Sequence, residues 1–226
     1  MRARGGRSSV TRADMAVAEE IRTLILRGEL VPNQRLVEAD LAEQFGASRT
    51  AVRTALGELA VQGLVEREQN RGARVRVISF DEAIEIAEVR RALESLCAGK
   101  AAAVVTDDEI AELKAIGEAM EQAVAGGDLG GYSAKNRELH ARIHQISGQR
   151  TALSLIERLR AQSVRQQFAL AMKPGRPSVS LGEHLAIIDA IAHRDPAAAE
   201  HAMTVHLNSV VAAMREVHAQ QPTSVA

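Results

Sequence analysis

The chain has 226 residues, 46% of them hydrophobic, 25% charged and 2% aromatic, enough for one large domain or two modest ones that each bury a core. Trp is absent and Tyr132 is the only tyrosine, so the composition suits helix packing better than an aromatic-rich sandwich or barrel. Apolar runs break well short of the ~18 residues of a membrane span, MRARGGRSSV has no secretory pattern, and the lone Cys97 leaves no internal disulfide or cysteine-based zinc cluster. A cytoplasmic protein with no membrane partner is expected.

The net charge of −1 hides an asymmetry. Residues 1–78 hold 13 Arg and 10 acidic residues, whereas 79–226 hold 15 Lys plus Arg and 19 acidic residues. The N-terminal cations are all Arg, whose planar fork suits phosphate and guanine edges, a weak pointer to nucleic acid.

Residues 1–10 read as a disordered basic tail. From Thr11, Ala16, Ile21, Leu24, Ile25 and Leu30 recur at roughly helical spacing, and Pro32-Asn33 ends the helix. A second helix is expected over about 37–45 with Leu41 and Phe45 inward, ending at Gly46. Ser48 caps a third over about 48–62, with Val52, Leu56, Leu59 and Ala60 buried and Gly63 at its end. Over 64–78 the period changes to two, Val75 and Val77 alternating with Arg74 and Arg76 beyond an Asn70-Arg71-Gly72 turn, which predicts a β-hairpin. Residues 11–78 thus form a winged helix-turn-helix. Beyond Ser79 only helical patterns appear, giving a bundle of about six helices over 80–104, 107–125, 129–147, 149–172, 178–193 and 196–218. Asp195-Pro196 is the clearest of these starts. The fold class is mainly α.

In a helix-turn-helix the first turn of the second helix lies nearest the bases. Here that turn is Ser48-Arg49-Thr50, with Arg53 one turn on. Two guanidinium groups and two hydroxyls at a helix N-terminus suit phosphate capture and bidentate contact with guanine. A solvated cationic face with an ordinary cap is the alternative, but Arg71-Gly72 at the hairpin tip, with Arg74 and Arg76 on its exposed face, suits a wing that meets the DNA backbone or minor groove. The stretches Ile21-Arg22-Thr23-Leu24-Ile25, Gly28-Glu29-Leu30, Leu41-Ala42, 46–56, Leu59, Gly63-Leu64-Val65 and 70–75 resemble the winged helix of the GntR family, with Ala51, Thr54 and Asn33 standing where that pattern usually has Pro, Glu and Gly.

Seven histidines stand at 140, 144, 184, 193, 201, 206 and 218. Asn136 and His140 are i and i+4 on one helix face, while His184 and His206 lie near the middles of the last two helices, which a short connection makes antiparallel neighbours. Three imidazoles and an amide oxygen there can make an open, water-completed site for Zn²⁺, Ni²⁺ or Mn²⁺. Hydrogen-bonded core or surface histidines are the alternative reading. Asn136-Arg137-Glu138-Leu139-His140, Glu183-His184, His206-Leu207 and Val89-Arg90-Arg91-Ala92-Leu93-Glu94 are similar to the FCD effector domain of the FadR branch of GntR regulators. That resemblance implies an effector-binding and dimerisation domain over 79–226, metal ligands at Asn136, His140, His184 and His206, and a small organic acid against the metal. His144 is a less favoured extra ligand, and His193, His201 and His218 read as surface or packing. Arg90 can pair with a carboxylate effector or form a buried ion pair with Glu94 at i+4.

The function expected is a ligand-responsive transcription factor, a repressor in which a homodimer binds a pseudo-palindromic operator on double-stranded DNA. A metal-dependent helical-bundle enzyme is the alternative. No residue reads as its general base, and no hydrolase or nucleotide-binding motif is present, so no catalytic activity is expected.

Overall fold

A computed structural model describes residues 12–68, 72–163, 170, 173 and 175–220, with backbone alone at 12–15, 68 and 220. The chain divides into two compact units at Ile78/Ser79. No described helix is long and apolar enough to cross a membrane.

The first unit runs α1 (Arg12–Arg27), β1 (Arg35–Leu36), α2 (Glu38–Gln44), α3 (Arg49–Val61), β2 (Val65–Glu68) and β3 (Gly72–Val75). Helix α1 packs on α3, and Ile21, Leu36, Val52, Leu56, Leu59 and Ala73 make its fully buried core. The turn into α3 is set by Gly46 (φ 59). This left-handed residue lets Gly46 N–H reach Glu43 O (3.3 Å) and Ala47 N–H reach Ala42 O (2.9 Å), closing α2 and redirecting the chain. The Ser48 hydroxyl then accepts Ala51 N–H at 3.0 Å, capping α3. Asn33, where the family pattern has Gly, also takes a left-handed φ of 68, which Asn tolerates.

The sheet has three antiparallel strands in the order β1-β3-β2, Leu36 opposite Ala73 and Val65 opposite Val75. The expected two-stranded hairpin therefore gains a strand, and its second strand ends early. Val75 is buried but Val77 is 55% exposed, because the ladder stops at Val75 and the alternation beyond it has no partner to face. Ala16 is likewise exposed, with Val17 and Ala18 turned inward in its place. Gly72 (φ 89) begins β3, and a Cβ there would stand 2.5 Å from Leu36 O, a position only glycine fills without displacing β1.

The second unit is helical: α4 (Phe80–Val104), α5 (Asp107–Ala125), α6 (Leu129–Ile146), α7 (Arg150–Gln162), α8 (Arg176–Ala192) and α9 (Pro196–Gln220). Helix α4 touches α6, α7, α8 and α9. Burial from several sides explains why it carries inward Ala83, Ala87, Ala98, Ala101 and Ala102 and two inward charges, Arg90 and Glu94. Thr106 and Glu109 form a capping box at the start of α5, and Asp195 Oδ1 accepts Ala198 N–H at 3.0 Å at the start of α9. Leu113, Met120, Leu139, Ile143, Ile187, Ile191 and Met203 close the core.

Two helical boundaries differ from expectation. The run over 149–172 is not a single helix: α7 ends at Gln162, where Ser163 leaves helical geometry (φ −101, ψ 17) while its N–H and its hydroxyl both donate to Leu159 O, at 3.3 and 3.1 Å. Residues 164–169, 171 and 172 lie outside the described residues. Helix α8 starts two residues early, after Gly175 (φ 79), with Pro177 in its first turn.

Candidate functional site

The exposed start of α3 brings together Ser48, Arg49, Thr50 and Arg53. Ser48 spends its oxygen on the cap, leaving Arg49 and Thr50 as the outward groups. Arg53 differs from the open guanidinium expected. Its Nε donates to both oxygens of Glu38 at 3.1 Å and its Nη2 to Oε2 at 2.8 Å, a fork from α3 to the first turn of α2. The Glu38 carboxyl is held below its usual range by the hydrogen bond from Arg53, with the charges of Arg67 and Arg49 adding in the same sense. Glu38 and the β2 residue Arg67 are thus parts of this face that the sequence reading missed.

On the wing, Arg74 Nη1 donates to the main-chain and side-chain oxygens of Asn33 at 2.8 and 3.1 Å, and Arg76 stands 3.5 Å from Glu66. Gly72 is fixed against the Leu36 carbonyl rather than held out at a tip. Arg71 lies outside the described residues.

In the second unit the four-residue spacing of Tyr132, Asn136, His140 and His144 lines one face of α6. Opposite stand Arg90 and Glu94 from α4, His184 from α8 and His206 from α9. His140, His184 and His206 are each at most 3% exposed, and each offers a nitrogen such that the three lie within 4.8 Å of one another. His140 Nε2 is 3.3 Å from His184 Nε2, and the His184 and His206 ring centroids are 4.3 Å apart. Each Nδ1 has its own partner: Glu94 Oε2 at 2.8 Å for His140, Tyr132 Oη at 3.1 Å for His184, and Glu183 Oε2 at 2.8 Å for His206. An imidazole anchored at Nδ1 presents Nε2 in a fixed direction. Asn136 Oδ1 is buried with no hydrogen-bond partner, a second acceptor left open beside the histidines.

The electrostatics keep these nitrogens available. Burial pushes His140 down to about 3, against the opposing pull of Glu94, and burial with the neighbouring His206 and His140 holds His184 well below its usual range. Glu94 stays ionised although burial opposes it, because Arg90 and His140 hold its carboxyl well below the usual range. The neutral imidazoles of His140 and His184 beside a fixed carboxylate supply donors for a borderline cation. The second possible group, Glu94, His140 and His144, already has Arg90 on its carboxylate, 2.6 Å from Oε1. That cation occupies the place of a metal's charge.

Of the two readings of Arg90, the buried ion pair with Glu94 is present. Arg90 also lines a cavity with about 90 Å³ of room for water-sized molecules, together with Asn136, His140, His206, Arg160 and Arg176. Arg160 and Arg176 were not singled out from the sequence. Their helices are legible there, but the rotation that turns these residues inward is set by packing against α4 and α9.

Residues 14–75 match the gntR family of bacterial regulatory proteins, and residues 85–209 match the FCD domain. The chain belongs to the GntR family. The protein named "Probable D-xylose utilization operon transcriptional repressor" of Paenarthrobacter nicotinovorans is 32% identical over 197 residues, 84% of this chain and 85% of that one. The HTH-type transcriptional repressor RspR of Escherichia coli (strain K12) is 29% identical over 198 residues, 85% of this chain and 87% of its own. Among solved structures, E. coli McbR/YncC shares the fold at a TM-score of 0.76 and 23% identity, covering 92% of this chain and 99% of that one. A GntR-type regulator of Rhodococcus sp. RHA1 gives 0.71 at 25% identity, covering 91% and 99%. This GntR-family chain is a DNA-binding, ligand-responsive transcriptional regulator and not an enzyme. Its histidine cluster lies within the stretch that matches the FCD domain.

Proposed function

We propose that this regulator acts in the cytoplasm as a homodimer, its residues 11–78 binding a pseudo-palindromic operator and its residues 79–226 providing dimerisation and a metal-centred effector site. A divalent transition metal, Zn²⁺, Ni²⁺ or Mn²⁺, is held by Asn136, His140, His184 and His206, and a small organic acid completes its coordination beside Arg90. Effector binding relieves repression by favouring a conformation that holds the two winged helices at a spacing unlike that of the half-sites, for a coupling of about 1–3 kcal/mol. The observation that carries the reading is the convergence of three buried imidazoles within 4.8 Å, each with its Nδ1 already engaged.

The test of the centre is elemental analysis of untagged, chelator-free protein beside His140→Ala and His184→Ala. About one transition-metal ion per chain in the parent and a loss of most of it in both variants is the expected result. Metal-free parent protein that stays empty when offered Zn²⁺, Ni²⁺ and Mn²⁺ overturns the metal assignment. The DNA face is tested separately on an operator selected from random duplex. Arg49→Ala is expected to weaken binding by about 1–3 kcal/mol with an unchanged circular dichroism spectrum, and unchanged affinity removes Arg49 from the interface.

A further inference from the structure

We infer that Arg67 of β2 is a further phosphate-binding arginine of the α3 face, standing in the place that a side chain at position 57 of α3 would otherwise take. The inference rests on the reading in which this face meets DNA, and adds to it a residue that lies on neither the helix nor the hairpin tip. Along α3, positions 49, 53 and 57 recur at four-residue spacing and form one stripe, each step about 6 Å along the axis. Arginine fills the first two and glycine the third. In a helix interior glycine is less favourable than alanine, and Gly57 does not take a left-handed φ, so no turn calls for it there.

The space beside Gly57 is taken by Arg67. On β2, Val65 and Arg67 point to the same side of the sheet, as do their partners Val75 and Ala73 on β3. Val65, Ala73 and Val75 are buried, whereas Arg67 is exposed. Arg67 therefore leaves the sheet on its packed side, at the rim of the core, and passes over α3: its Nη1 lies 3.9 Å from where a Cβ on Gly57 would stand. A methyl group would just touch it, and a longer side chain at 57 would compete with the guanidinium for the same room. The charges of Arg53, Arg67 and Arg49 all act on the Glu38 carboxylate, so the three guanidinium groups share one side of this unit. The partner of Arg67 follows from its position. The first turn of the second helix lies nearest the bases, and position 57 is eight residues, about 12 Å, along the axis from Arg49. A guanidinium set back by more than two turns is placed for the phosphates that border the groove, not for the base edges on its floor.

The test measures full-length protein on the selected operator and on a scrambled duplex of the same length, by fluorescence anisotropy from about 50 to 200 mM KCl. Arg67→Ala and Arg67→Gln are expected to weaken both duplexes by a similar factor, about five- to tenfold, and to lower the slope of log affinity against log salt by about one for each chain bound. Arg67→Lys, which keeps the charge, should keep most of the slope. Arg67→Ala combined with Gly57→Arg, which returns a guanidinium to the same place from the helix side, should recover both slope and affinity. An unchanged slope in Arg67→Ala and Arg67→Gln overturns the inference, and so does a loss confined to the operator, which would make Arg67 a base contact. A double variant no better than Arg67→Ala overturns the exchange between positions 57 and 67. Arg49→Ala, measured alongside, separates this inference from the reading beneath it: loss with Arg49→Ala and none with the Arg67 variants removes Arg67 alone, whereas no loss with any of them removes the α3 face itself.

Discussion

Replacing Glu94 by Ala is expected to destabilise the helical unit by about 3–5 kcal/mol, as a fall in the urea midpoint with little change in slope. Glu94 is completely buried. Its Oε1 receives Arg90 Nε at 2.8 Å and Nη2 at 2.6 Å, and its Oε2 receives His140 Nδ1 at 2.8 Å, with His144 Nε2 at 3.3 Å. The substitution removes the counter-charge of Arg90, itself 6% exposed, and leaves the His140 imidazole without the acceptor that orients it. Loss of that acceptor should also weaken metal binding by about 10–100-fold. Glu94→Gln separates the two effects, since it keeps the volume and one acceptor oxygen while removing the charge. A stability loss below about 1 kcal/mol for the Ala variant would mean that Arg90 reaches solvent once released, contrary to the buried network described.

Acidifying the chelated protein is expected to cost stability from about pH 6.5 downward. His140 has an ordinary value of 6.5 and is pushed down to about 3 by burial, so on falling below 6.5 the unfolded chain takes up a proton that the folded chain refuses. Stability is therefore full above pH 6.5 and declines until the folded group itself titrates near 3. At about 1.4 kcal/mol per pH unit, His140 alone accounts for roughly 2 kcal/mol at pH 5, and His184, held low by the same burial, acts in the same direction. Urea unfolding at pH 7.5 and 5.0 checks this. His140→Gln should flatten part of the slope, and a chelated protein as stable at pH 5 as at 7.5 would contradict neutral, buried imidazoles.

The parts of the molecule that were legible in the sequence are those that local chemistry decides. Asp195 followed by Pro196 specifies a helix start with an acceptor and a fixed φ, and α9 begins there. The four-residue spacing of Asn136 and His140 puts them on one face whatever surrounds the helix. Other features depend on partners distant in sequence. Arg35-Leu36 becomes a strand only because β3 lies alongside it, and two residues cannot announce that by periodicity. Val77 continues a pattern of two that the structure does not use. Arg160 and Arg176 belong to helices whose rotation is fixed by α4 and α9, and the Glu38–Arg53 fork spans two helices joined by a turn, so none of these is visible in local spacing. The end of α7 is illegible for a different reason: Ser163 adds a hydroxyl to the carbonyl its own N–H already uses, and serine makes that bond inside helices as well as at their ends.

The fork between Arg53 and Glu38 alters what DNA meets on arrival. A phosphate that takes the two N–H groups now held by Glu38 would exchange one anion for another, whereas Nη1 donates nothing to Glu38 and leaves an edge of the guanidinium open to a neutral acceptor such as guanine. For a random stretch of duplex the two sides of that exchange would nearly balance, and Arg53 would add little to the grip. Only a sequence that offers the guanidinium a better geometry than Glu38 does gains from the trade. If Arg53 meets DNA as the proposed interface requires, the pair would act as an internal competitor that shortens dwell on the wrong sites, with Arg49 making first contact.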